Sequence, residues 1–162
     1  MKKTFTIFVL ALMAMCNTFT ACGDDNDDGS QQQVFDASKA MSGKWKLSKV
    51  QDFPLPINNY HIREGNTISF LDGGIIRTEG DFSVTINGDA SKRMIMPFVG
   101  YNTWRADNSY NSDGTVETSS ALVYFNNNSE AYVAYFMSAT EVYLVKFATT
   151  TQGIAYVLTK MK

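Results

Sequence analysis

Thiols are scarce in this 162-residue chain, and its two cysteines, Cys16 and Cys22, both lie near the start. No cysteine follows Cys22, so disulfide staples, thiol nucleophiles and thiolate metal sites are excluded from the rest of the chain. Histidine is scarcer still: His61 stands alone, without the second His or Cys that an ordinary zinc site needs. Neither a Gly-x-Ser-x-Gly elbow, a P-loop nor a dinucleotide fingerprint occurs. Asp81, Glu117, Glu130 and Glu141 could converge on neighbouring strands, but nothing in their spacing favours a catalytic pair. The expectation is a protein that is not an enzyme and uses no cofactor and no metal.

An excess of positive charge is also missing. Setting aside Lys2 and Lys3 leaves 12 basic residues, and setting aside Asp24, Asp25, Asp27 and Asp28 leaves 12 acidic ones. A neutral domain has no electrostatic footprint for nucleic acid. Nor is there an apolar run long enough to cross a bilayer as a helix, which takes about 20 residues. The run over residues 5–16 stops short at Asn17 and Thr18.

What is present at the start has the layout of a cleavable signal: Lys2 and Lys3, then the apolar run, then the small residues Thr20 and Ala21. Phe19-Thr20-Ala21-Cys22 resembles the lipobox of bacterial lipoproteins, with Phe19 where Leu is usual. Cys16 is a poorer match, because the bulky Met15 precedes it and no polar tether follows. The resemblance implies a signal peptide over residues 1–21 and fatty acylation, palmitate included, of Cys22. Several acyl chains on one residue hold a protein to a membrane where a single chain does so only marginally. Gly23 rather than Asp after the Cys implies passage to the outer membrane.

Residues 22–33 read as the lipidated Cys and an acidic, disordered tether, rich in Asp and ending in Gln31-Gln32-Gln33. An acidic run at this place resembles the surface-export signal of lipoproteins from some gut-dwelling diderm bacteria, which implies a domain facing the cell exterior; a solvated spacer facing the periplasm is the alternative. Asp24-x-Asn26-x-Asp28-Gly29 also matches the first half of a calcium loop. Its twelfth position is Phe35 where a bidentate Glu is required.

Residues 34–162 carry the domain, about 130 residues, long enough to bury a core without staples. Residues 34–42 allow one or two helical turns. From Gly43 onward the period is two, with strands expected over residues 44–50, 67–71, 75–78, 82–86, 93–99, 116–125, 131–137, 141–148 and 154–160. Turn chemistry separates them, Asn87-Gly88 and Asp113-Gly114 among others. The pattern describes an all-β antiparallel meander. At the C-terminal end both faces are apolar, as in Ala131-Tyr132-Val133-Ala134-Tyr135-Phe136-Met137. Such strands either line a cavity while packing outside or present a contact surface.

Gly43-Lys44-Trp45 after a short helical turn is similar to the lipocalin and lipocalin-like signature. Thr67-Ile68-Ser69-Phe70-Leu71-Asp72-Gly73, Ser138-Ala139-Thr140-Glu141-Val142-Tyr143-Leu144 and Tyr156-Val157-Leu158-Thr159-Lys160 agree with small lipocalin-like lipoproteins in order and spacing. The resemblance implies a closed barrel of about eight to ten strands, with Gly43 and Trp45 as structural residues. It also implies a cation from the last strand over Trp45, where this chain has Lys160 in place of Arg. His61 reads as a loop or strand-edge residue.

Residues 100–114 are long for a hairpin connection and carry Tyr101, Trp104, Arg105 and Tyr110 among Asn and Ser. Long aromatic loops are often functional. These four residues are therefore expected to flank a pocket for a small apolar or glycan-like ligand. The alternative for the segment is that Trp104 begins another strand and caps the core; the alternative for the domain is a protein-interaction module. The acylation at Cys22 is testable by fractionating cells that express wild type and Cys22→Ala. The wild type is expected in the membrane fraction with lipid detectable by mass, and the variant is expected to leave that fraction.

Overall fold

A single indole ties the N-terminal turn to the first strand. The computed structural model describes residues 35–162; the expected signal segment, Cys22 and the tether through residue 33 lie outside the described residues. Helix α1 (Ala37–Met41) is capped by Asp36, whose carboxylate accepts the Lys39 N–H at 3.1 Å. Strand β1 (Gly43–Phe53) follows, and Trp45 donates its ring N–H to the Met41 carbonyl at 2.7 Å. Gly43 has φ +115°, and a Cβ there would come within 3.3 Å of Lys160 Cε. Glycine fits both constraints at once. The Lys160 ammonium lies 5.2 Å over the Trp45 ring and 3.4 Å from the Ala40 carbonyl, and burial lowers its pKa.

The remaining strands are β2 (Tyr60–Ile62), β3 (Thr67–Leu71), β4 (Ile75–Glu79), β5 (Ser83–Ile86), β6 (Asp89–Ile95), β7 (Trp104–Tyr110), β8 (Val116–Phe125), β9 (Glu130–Ser138), β10 (Glu141–Phe147) and β11 (Gly153–Lys160). Eight of the strands form one antiparallel sheet, in the order β4-β3-β1-β11-β10-β9-β8-β7, curled into a half-barrel with the short helix at its N-terminal side. Its edges meet at one end, where Ile75 pairs with Thr103 and the Ile76 N–H reaches the Asn102 carbonyl at 3.2 Å. A register shift in β1 between Leu47 and Lys49 supplies the local bend that a curled sheet needs.

The remaining three strands form a separate sheet, β2-β5-β6. Three strand positions differ from the sequence expectation, the first being β2, where no strand is expected. The strand placed over residues 93–99 is Asp89–Ile95, because Pro97 opens a 3-10 turn, Pro97–Gly100, that ends it. Residues 100–114 follow the alternative in which Trp104 begins a strand: they contain β7, paired along its length with β8. Its polar residues have work there: Asn108 accepts the Ala37 N–H at 2.9 Å and donates to the Phe35 carbonyl at 2.8 Å, pinning α1 to the sheet edge.

The small sheet and the 3-10 turn deliver two phenylalanines to the concave side of the large one. Phe98 has its centroid 4.8 Å from Tyr156, 5.9 Å from both Tyr101 and Tyr132, 6.0 Å from Phe125 and 6.4 Å from Phe82. Tyr101 stacks on Phe125 at 4.6 Å and shares a hydroxyl hydrogen bond of 2.9 Å with Tyr132. Burial raises the pKa of Tyr101, of Tyr132 far out of the usual range, and of Tyr156 to about 12, so these phenols stay neutral. The concave side is filled by rings.

Asn66, fully buried, locks the small sheet in place. Its Oδ1 accepts the Phe82 N–H at 3.0 Å, its Nδ2 donates to the Arg63 carbonyl at 3.0 Å, and its own carbonyl accepts the Leu47 N–H at 2.9 Å. A buried amide satisfied in this way specifies one arrangement, since any shift leaves a polar group unpaired. Truncating Phe98 to Ala is expected to cost about 3–5 kcal/mol in denaturant unfolding. Val99→Ala, in the same turn but exposed, is expected to leave stability nearly unchanged.

Candidate functional site

The convex face of the C-terminal strands is built from the residues that alternate with the core. Leu144, Tyr156 and Leu158 join the main core cluster, whereas Val145, Ala155 and Val157 are buried without belonging to it. Cross-strand register sets them in rows. One row runs Lys49, Val157, Tyr143, Tyr135, Ser120; the next runs Gln51, Ala155, Val145, Val133, Leu122, Asp107. A third begins Phe53, Gly153, Phe147. Phe53 stacks on Tyr135 at 5.6 Å and meets Phe147 edge-on at 5.8 Å. These rings and Tyr143 are half-buried, and burial raises the pKa of both tyrosines. A sheet face turned to solvent normally alternates to polar residues; this one is largely apolar across three strands, β11, β10 and β9.

Past Phe53 the chain enters the segment Pro54-Leu55-Pro56-Ile57, where Leu55 is 61% and Ile57 81% exposed. Asp52 organises this tip. Its carboxylate accepts the N–H of Asn58 at 2.7 Å and of Ile57 at 3.2 Å, the Asn58 side-chain amide at 3.0 Å and the Tyr60 hydroxyl at 2.6 Å. Burial pushes the Asp52 carboxyl up, but these hydrogen bonds outweigh it and hold the group below its usual value. Burial and the Asp52 charge push the Tyr60 phenol up to about 12. Two apolar side chains are thus held out into solvent on a fixed loop.

Cations edge this surface on β1. Lys44 pairs with Glu79 at 2.8 Å, while Lys46 and Lys49 have no ion pair among the described residues. On the opposite side Arg105 is tied to Asp107, to Asn128 Oδ1 at 2.7 Å and to the Tyr124 ring at 4.2 Å. No signal short of the register marks Phe53 and Lys49 as members of one surface; Asp52, opposite Ile154, faces the other side of the sheet.

The four residues expected around a pocket mouth are spread apart. Tyr101 is in the core, bonded to Tyr132. Trp104 packs edge-on against Phe70 at 5.1 Å and donates its ring N–H to the Leu71 carbonyl at 3.0 Å. Arg105 is held on the outside, and Tyr110, 67% exposed, sits at the far end of β7, about 20 Å along the strand from Trp104. Trp104 and Arg105 do border a shallow open groove of about 540 Å³ between α1 and the 72–74 turn, lined also by Ser38, Lys39, Ser42 and Asp72.

Compared with known proteins, the chain matches no family model, no curated protein and no solved structure.

Asp52 makes the apolar tip pH-sensitive. A carboxyl whose pKa is lower folded than unfolded contributes stability that is present above its ordinary value, 3.8, and lost as pH falls through the folded value. Asp52→Asn is expected to melt below wild type at neutral pH. The two melting curves should converge as pH drops below 3.8.

Proposed function

We propose that this chain is a lipid-anchored lipoprotein of the outer membrane, facing the cell exterior, whose β domain docks a protein partner on its convex aromatic face. The observation that carries the reading is the pairing of a ring-lined concave side with a convex side whose half-buried rings lie over buried small and branched residues. A ligand inside the sheet would have to displace Phe98. The convex face needs no such rearrangement, and contiguous apolar surface on a tethered domain marks an interaction site. Half-buried, mutually packed rings lose little side-chain freedom on binding, and so does the Asp52-held tip. The lysines on the β1 side select the partner's chemistry: an apolar centre with carboxylates along one rim.

A second reading has its own observation. The groove beside Trp104 and Arg105 mixes hydroxyls, charges and an indole, which suits a small glycan-like ligand.

The readings separate in one experiment on the full chain in intact cells. A photoreactive residue in place of Tyr143 or of Ile57 is expected to give a discrete adduct with another protein. Lys46→Glu with Lys49→Glu should reduce that adduct, and Ser42→Trp, which fills the groove, should not. Absence of an adduct from both positions, or an adduct only with a second copy of this chain, contradicts the proposal. So does saccharide binding on a glycan array that Ser42→Trp abolishes while the convex face captures nothing.

A further inference from the structure

The small sheet β2-β5-β6 has an outward face unrelated to the aromatic one. His61, Thr85 and Arg93 share one register row, and Ser83 lies next along β5. Arg63 follows directly after β2. Both guanidiniums converge on one carboxylate: Arg63 Nη1 lies 3.0 Å from Asp81 Oδ2, and Arg93 Nη2 lies 3.0 Å from Oδ1 and 3.3 Å from Oδ2.

Two cations on one anion leave an excess of positive charge, and the donors are far from used up. A guanidinium carries five N–H groups, yet each arginine spends a single nitrogen on Asp81. Asp81 thereby acts as a bracket that orients both arginines, and Ser83 and the two cations hold its carboxyl below the usual range. The arginines stay open, with 73% and 50% of their side chains exposed. Between them lies an open groove of about 300 Å³ lined by His61, Ile62, Arg63, Ser83, Thr85, Ala90 and Arg93. The Asp81 carboxylate, 25% exposed, adjoins it through both arginines and cancels one of their two charges. The nearby Lys92 and Asp89 are paired with each other at 3.6 Å.

We propose that this groove is a binding site for an oxyanion, a sulfate, phosphate or carboxylate, free or carried on a sugar of monosaccharide size. The planar forks of Arg63 and Arg93 match two oxygens of such a group, a geometry that lysine lacks. His61 and Thr85 supply further donors from the same row, and the small side chain of Ala90 leaves the space above it open. Because the groove is solvated, binding is weak and falls with ionic strength. The site is independent of the docking proposal, since none of its residues belongs to the convex face.

The test is calorimetric and NMR titration of the full chain in detergent at low salt. The probes are inorganic sulfate, inorganic phosphate, glucuronate and a monosaccharide sulfate, with glucose as the neutral control. Saturable binding of at least one anion is expected, with amide shifts at residues 61–63, 83–85 and 90–93 and none from glucose. Tighter binding of the sugar-borne anions than of the inorganic ones identifies the carried form, and the reverse identifies the free ion. Arg63→Gln or Arg93→Gln is expected to weaken binding about tenfold or more, the scale of one charge-assisted hydrogen bond. Thr85→Glu, which puts a carboxylate into the groove, is expected to abolish it with the circular-dichroism spectrum unchanged. No saturable binding of any anion, or unchanged binding in the double arginine variant or in Thr85→Glu, overturns the proposal.

Discussion

Phe98 is held on the concave side of the curled sheet by rings from the 3-10 turn, β5, β8, β9 and β11, and the placement of much else follows from it. A half-barrel of eight strands has a hollow to fill, and rings of the large sheet such as Phe70 and Phe125 meet across part of it. This chain fills it from the side. The turn at Pro97–Gly100 carries Phe98 inward, and the Met96 N–H bonds the Phe82 carbonyl at 2.8 Å, so both phenylalanines enter as a pair. The small sheet is the frame that presents them, and Asn66 fastens that frame to β1. A polar residue at the base of an apolar plug is costly unless every group is paired, and here each one is.

Filling the concave side changes what the rest of the surface is for. Aromatic strands that could have lined a cavity instead bury one set of rings and display another. The displayed set is held together by its own stacking, Phe53 on Tyr135 and Phe147, above a floor of small and branched residues. Gly153 belongs to that floor by necessity: a Cβ there would come within 2.3 Å of the Lys146 carbonyl. Apolar surface of this kind on a folded domain is a liability unless something covers it. A tether at the N-terminus would keep the domain at a membrane, where a partner held on the same surface meets it at high effective concentration.

The sequence made the class of fold readable because alternation and turn residues agree over most of the chain. Asn87-Gly88 turns with φ of 53° and 73°, and Asn126, Asn127 and Asn128 all take positive φ, as their residue types suggest. Gly43 and Trp45 were legible as a pair through the resemblance to the lipocalin-like signature; the backbone demand beside the large ring shows only in the structure. Three features were not. Strand β2 has three residues, too few to show a period, and β6 is exposed on both faces, so nothing alternates. Strand β7 looks polar because it works through hydrogen bonds to α1 rather than through burial. Of the candidate residues, Trp104 reads equally well as core or as a ligand contact, and the burial of Tyr101 has no mark in the local pattern. Phe98 packs on Tyr101 and Phe70 on Trp104, contacts between residues that the local sequence pattern does not bring together.

Xenon-pressurised NMR tests the filled concave side most directly, because an apolar void that stays dry takes up xenon whereas a packed one does not. Spectra of the full chain in detergent are expected to show no saturable shifts at Phe98, Tyr132 and Tyr156 as xenon pressure rises. Saturable shifts confined to those residues would mean an empty chamber behind Phe98, and would return ligand binding to the inside of the sheet.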